Sequence, residues 1–323
     1  MKTFKNDNLI VGASPHLVDS LSTRKIMGLV SVALLPSLLV STYVYGLRCI
    51  ILAAVTIVAS VFFEYLFAKI TKRENTIDDL SAVVTGLLLA MNLPPNFPYW
   101  MAVVGAFVAI VIVKQLFGGL GQNFVNPAIT ARIVLFVGFA SQMSAYQDPS
   151  KGRLMFSAAD AVTGATPLQI ANVSGYAEAV AQYPTMQLFL GNIGGSMGEV
   201  SALALLIGGI FLIIKKVISP ATPIAFLGTM AVFALLIGQD PLWHICAGGA
   251  MIGAFFMATD YVTTPITIKG KIVFGICCGL LTMIIRTYGA YPEGISFSIL
   301  LMNIITPLID SFFEKRLYGG GKK

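Results

Sequence analysis

Charge is what this chain of 323 residues has least of: 11% of its residues are Asp, Glu, Lys or Arg. An ordinary soluble domain carries about a quarter. That shortage excludes a chain built to face water on every side. With 56% hydrophobic residues and a mean hydropathy of +0.83, the composition predicts an integral membrane protein. Cysteine is also sparse, and Cys49, Cys246, Cys277 and Cys278 form no CxxC pair. An iron–sulfur cluster held by this chain alone is therefore not expected, and buried, inert thiols are. The GxxxxGK[ST] order of a nucleotide-binding loop is missing, and no metal site is expected. Residues 1–25 are polar, without the short apolar core and cleavage site of a signal peptide. The net charge of +6 does not argue for nucleic acid, because basic residues in a polytopic chain report orientation.

What the chain does have is long apolar runs. Hydropathy places spans at roughly 26–44, 47–70, 78–92, 98–117 and 126–143, then 196–216, 220–238, 241–260, 271–287 and 295–313. The third stops short at Asn92-Leu93-Pro94-Pro95, and the eighth ends comparably at Asp260-Tyr261-Val262-Thr263-Thr264-Pro265. The fifth opens at Asn126-Pro127, and the tenth carries Asn303 and Pro307. An odd number of helices per block gives the two blocks opposite orientations. The expected fold is therefore all-α and polytopic, with about ten transmembrane helices in two inverted five-helix repeats and interrupted helices at the midplane. The expected divisions are 1–25 (cytoplasmic segment), 26–143 (first repeat), 144–195 (extracytoplasmic loop), 196–313 (second repeat) and 314–323 (cytoplasmic tail). With the N-terminus inside, 15 of the 21 basic residues fall in inner segments and four (Arg48, Lys151, Arg153, Arg286) in outer ones. That bias predicts both termini in the cytoplasm.

The central loop holds Asp160-Ala161-Val162-Thr163-Gly164-Ala165-Thr166-Pro167-Leu168. Small residues at Gly164 and Ala165 clear space around the Thr166 hydroxyl, and Pro167 stiffens the backbone after it. The pattern predicts an exposed turn: either a hydroxyl offered to a modifying enzyme or a plain surface loop. Lys151 and Arg153 either offset a bound phosphate or are two solvated charges.

Within the spans, charged side chains are expensive and usually pair or line a wet path. Glu64, deep in an apolar run, Asp79, which opens the short third span, and Asp260, at the break in the eighth, are the candidates for an ion route. The other reading of all three is helix packing. Glu199, Asp240 and His244 are expected near the outer side, while Lys114 and Arg132 are expected to snorkel from the inner ends of their helices. Gly118, Gly119 and Gly121 predict a tight re-entrant turn, and Gly248, Gly249 and Gly253 predict close helix packing. Asn126-Pro127-Ala128 matches one water-channel signature, but only in a single copy.

Several long motifs carry a resemblance. They are Ser14-Pro15-His16, the run Ser81 to Ala90, the turn Phe117 to Ala128, Gly194 to Glu199, Phe255 to Tyr261, and Pro307-Leu308-Ile309-Asp310. In this order they resemble the family of the D subunits of the Rnf complex, the ion-translocating ferredoxin:NAD oxidoreductase. The B subunits of the sodium-translocating NADH:quinone oxidoreductase are close kin, and the short N-terminal segment fits the Rnf side better. The resemblance implies FMN joined through its phosphate to Thr166, with Asp160, Thr163, Gly164 and Ala165 read by a flavin transferase outside the cell membrane. It implies a urea-transporter-like inverted repeat and a second, non-covalent flavin, often riboflavin. It also implies the other Rnf subunits (A, B, C, E and G), membrane lipid, and Na+ or H+ as partners, and a bacterial or archaeal cell membrane as the location. The leading expectation is thus a redox subunit relaying electrons through flavin between ferredoxin and NAD, coupled to ion export. Other classes are a solute channel or secondary transporter of the same architecture, and a structural anchor. Covalent flavin separates the first from both.

Overall fold

The structure is a computed structural model and describes residues 22–73, 76–147, 164–191, 193–289 and 293–313. Among these the chain is 74% helix with no strands. In chain order the helices are α1 (Thr23–Tyr45), α2 (Arg48–Thr71), α3 (Ser81–Met91), α4 (Tyr99–Phe107), α5 (Pro127–Gly138) and α6 (Ala140–Met143). There follow α7 (Pro167–Val173), α8 (Tyr176–Gln182), α9 (Thr185–Leu190), α10 (Ala202–Ile214), α11 (Ala221–Leu236), α12 (Pro241–Cys246), α13 (Ala250–Ile252), α14 (Ile268–Tyr288) and α15 (Ile295–Phe313).

Among the described residues α1, α2, α14 and α15 are long and apolar enough to cross a membrane, and five shorter helices are also apolar. These helices expose large apolar side chains outward, such as Leu39, Val58, Ile284 and Leu308, as a helix surrounded by hydrocarbon does. The chain is a polytopic membrane protein.

Backbone-to-backbone packing holds the bundle. A Cβ on Gly279 would lie 2.5 Å from the Phe226 carbonyl, and one on Gly275 2.8 Å from that of Thr222, so α14 and α11 touch through glycine. Gly208 on α10 faces the Ala33 carbonyl of α1 in the same way. Small residues at such seams let helices approach where hydrocarbon gives no hydrophobic drive.

Three of the expected helices are short or irregular. α3 is short, as Asn92-Leu93-Pro94-Pro95 implies, and the chain leaves it at Asn92. The fourth span changes partway into a π-helix, Val108–Gln115, a rare geometry that turns Lys114 and Gln115 inward. The eighth span is cut in two. Gly248 and Gly249, expected as packing glycines, adopt φ +50° and +58° and end the helix, which resumes as α13 and a second π-turn, Gly253–Met257. Gly253 does pack closely, with Ile295 Cγ2 2.5 Å from where its Cβ would be. Between α6 and α10, the polar loop contains the short helices α7, α8 and α9.

Candidate functional site

Asp160 and Thr163 lie outside the described residues. Gly164 N–H donates to the Tyr146 carbonyl at 2.9 Å, Ala165 is exposed, and Thr166 is the N-cap of α7. Thr166 Oγ1 accepts from Gln169 N–H (3.2 Å), and Gln169 Oε1 accepts from Thr166 N–H (3.0 Å). This is a complete capping box. It overturns the expected exposed hydroxyl: Thr166 is 4% exposed. The physical reason is reciprocal satisfaction of helix-end donors, which draws the side chain onto the helix. In this cap the Thr166 oxygen is an acceptor, so replacing its proton leaves the lone pair that holds Gln169 N–H. α7 is docked by Leu168, which packs against the helix break at Gly248.

Behind this cap lies a charged cluster. Arg132, the sixth residue of α5, is buried mid-helix and does not snorkel. It donates to Glu293, to Glu199 (3.5 Å), to Asn92 Oδ1 (3.1 Å) and to Ser296 Oγ (3.0 Å). Glu199, expected near the outer side of the membrane, is buried beside Gly195 and Gly249. Tyr146 donates to Glu293, and burial, followed by that carboxylate, pushes the Tyr146 phenol well up. Arg286, counted above in an outer segment, is buried and donates to the carbonyls of His244, Ala247 and Gly248 (2.7–2.9 Å). It thereby satisfies the acceptors that the break leaves open. A cavity of about 270 Å³ opens on this cluster, lined by Arg132, Tyr146, Gln169, Asn172 and Glu293, with Phe136 and Phe297 on an apolar wall.

A second cluster gathers the candidate acids. Glu64, fully buried on α2, accepts from Lys114 Nζ (2.8 and 3.0 Å), Gln115 Nε2 (3.0 Å) and Thr76 Oγ1 (2.6 Å). Lys114 is 2% exposed, so it too does not snorkel, and it also donates to Ser81 Oγ (2.6 Å). Asp79 accepts from Ser81 N–H (2.7 Å) and from the Ser81 hydroxyl. Glu64, Lys114, Ser81 and Asp79 therefore form one hydrogen-bonded chain. Lys114 and Ser81 line a cavity of about 380 Å³ that also borders Asp260, Asn123 and Asn126. Asp260 accepts from Thr263 Oγ1 (3.1 Å). The structure thus brings all three acids to one cavity: Asp260 directly, Glu64 and Asp79 each through one side chain.

Sequence reasoning missed Glu293, Tyr146 and Gln169. Gln169 had a signal, since Thr166-Pro167-Leu168-Gln169 is the capping-box spacing. The cysteines meet expectation in part: Cys49, Cys246 and Cys278 are buried, and Cys277 is half-buried.

These features define a class: an integral membrane protein with paired charges inside a helical bundle and a structured polar segment against one cluster. Residues 10–319 match the NQR2, RnfD, RnfE family, and the chain belongs to it. The D subunit of the Na(+)-translocating ferredoxin:NAD(+) oxidoreductase complex of Acetobacterium woodii is 51% identical, over 97% of this chain and 96% of that protein. The D subunit of the proton-translocating ferredoxin:NAD(+) oxidoreductase complex of Clostridium ljungdahlii is 42% identical, over 98% and 97%. Its counterpart in the ion-translocating oxidoreductase complex of Vibrio atlanticus is 37% identical, over 96% and 99%.

Proposed function

We propose that this chain is the D subunit of an ion-translocating ferredoxin:NAD oxidoreductase complex, working beside the A, B, C, E and G subunits. It carries FMN on Thr166 as a phosphoester and couples electron transfer to Na+ or H+ movement. The observation that carries this reading is near end-to-end similarity to relatives named as the D subunits of such complexes. The fit of Thr166 supports the flavin: its oxygen is an acceptor in the capping box, and a cavity lies beside the cap. The flavin, when bound, supplies the redox chemistry, and the chain supplies attachment and surroundings. Asp160, Thr163, Gly164 and Ala165 are read by the flavin transferase. A non-covalent riboflavin is part of the reading, with no residues assigned.

The architecture belongs to the proposal as well. Ten spans in two inverted five-helix repeats are supported by the paired interruptions after α3 and at α12–α13, each beside a buried basic residue. Both termini are then cytoplasmic and residues 144–195 extracytoplasmic, on the strength of the basic bias. Single cysteines placed at 151 and 269 are expected to differ toward an impermeant thiol reagent on intact cells, 151 reacting and 269 protected. The reverse pattern would invert the topology.

The coupled cation is taken to pass the cavity bordered by Lys114, Ser81 and Asp260. A paired lysine beside carboxylates gives a cation a polar stop with a countercharge that can rearrange. The test uses the assembled complex in sealed vesicles with Glu64→Gln, Asp79→Asn and Asp260→Asn. Ion uptake is measured beside electron transfer from reduced ferredoxin to NAD. At least one variant is expected to lose uptake with its flavin still bound. Normal ion-to-electron ratios in all three would remove these acids from the route.

A further inference from the structure

We infer that the cavity beside α7 is the seat of the isoalloxazine ring of the flavin on Thr166, with Arg132 as the residue that sets its charge environment. This rests on the flavin assignment above and adds where the ring lies and which side chains meet it.

The first argument is reach. The cavity adjoins the Thr166 cap: Gln169, its capping partner, lines it, and Gly164 is hydrogen-bonded to the backbone of Tyr146, which also lines it. The second is size. At about 270 Å³ the space lies just below the usual range of ligand cavities and suits a ring system better than a whole free nucleotide. The third is chemistry. Phe136 and Phe297, edge-to-face at 6.3 Å and 80°, give an aromatic wall, while Gln169, Asn172 and Arg132 give amide and guanidinium donors. A flavin has the same division, an apolar dimethylbenzene end and a polar pyrimidine edge.

The charges make the seat tolerant of a reduced ring, whose negative charge gathers on the pyrimidine edge. The groups around Arg132 are Glu199 preceding α10, Glu293 preceding α15, Tyr146 after α6, and Arg286 of α14 on the carbonyls at the break. Two guanidinium ions face two carboxylates, so no net negative field repels the ring. Arg132 alone of the two arginines lines the cavity.

The experiment uses the assembled complex, with intact-mass analysis of flavin on Thr166, redox titration of that flavin, and iodide quenching of its fluorescence. In the flavin that loads, Arg132→Gln is expected to lower the reduced-to-oxidised ratio at a fixed potential about tenfold. Because that variant breaks a buried ion pair, Asn172→Asp is the second arm, adding a negative charge at the rim and shifting the ratio in the same direction. Ile133→Trp, which adds bulk to the half-buried cavity wall, is expected to expel the ring and raise iodide quenching. Full loading with unchanged titration and quenching in Asn172→Asp and Ile133→Trp would overturn the seat while leaving the attachment standing. Absence of flavin from Thr166 in the parent complex would overturn the attachment, and the seat with it.

Discussion

Lys114→Met is expected to cost the folded protein about 3–5 kcal/mol, the usual penalty for stranding one partner of a buried ion pair. Against a total stability of about 5–15 kcal/mol, that is enough to cut the yield of folded protein sharply. The reason lies in what Lys114 leaves behind. Glu64 is fully buried, and its two charge-assisted contacts, at 2.8 and 3.0 Å, are with the Lys114 ammonium. Gln115 and Thr76 still donate to Glu64 Oε1, but neither is charged. Ser81 also loses a 2.6 Å donor at the start of α3. Methionine fills the space without replacing any of this. The double change Glu64→Gln with Lys114→Met removes both charges and is expected to recover most of the loss. The measurement is the fraction of monodisperse protein surviving heat in detergent, for parent, single and double variants. A single variant as heat-resistant as the parent, or a double variant no better than the single, would mean that the pair does not hold α2 to the π-turn.

Thr166→Ala and Thr166→Val are expected to reduce in-gel flavin fluorescence to background, while Thr166→Ser retains it. All three should stay folded. Thr166 caps α7, and losing such a cap costs about 1 kcal/mol, well short of global unfolding. Serine keeps both the capping oxygen and the hydroxyl that the phosphoester needs. The serine variant therefore separates loss of the attachment atom from loss of the cap. Flavin remaining on the alanine protein would move the attachment elsewhere.

The membrane class was legible because it rests on composition, and repeated apolar runs outweigh any local signal. The half-length α3 was legible because Asn92-Leu93-Pro94-Pro95 cannot continue a helix. The burial of Thr166 was not read, although Gln169 stood at capping-box distance. The small residues before it suggested openness, whereas the cap decides where the side chain goes. The Glu64–Lys114 pair joins residues 50 apart in sequence, and the fates of Lys114 and Arg132 turn on which helix faces them. Hydropathy alone assigns a lone lysine near a helix end to snorkelling, and the π-turn that points Lys114 inward has no local mark. Gly248 and Gly249 read equally well as packing or as breaking residues until Arg286 is seen holding the freed carbonyls.

The flavin on Thr166 is the claim on which the functional account turns, and mass spectrometry of the peptide spanning Thr166, from protein made with its flavin transferase, tests it most directly. The account predicts that peptide at its sequence mass plus FMN less one water, with fragments assigning the addition to Thr166. An unmodified Thr166 peptide at full occupancy, or an adduct on another residue, would contradict it.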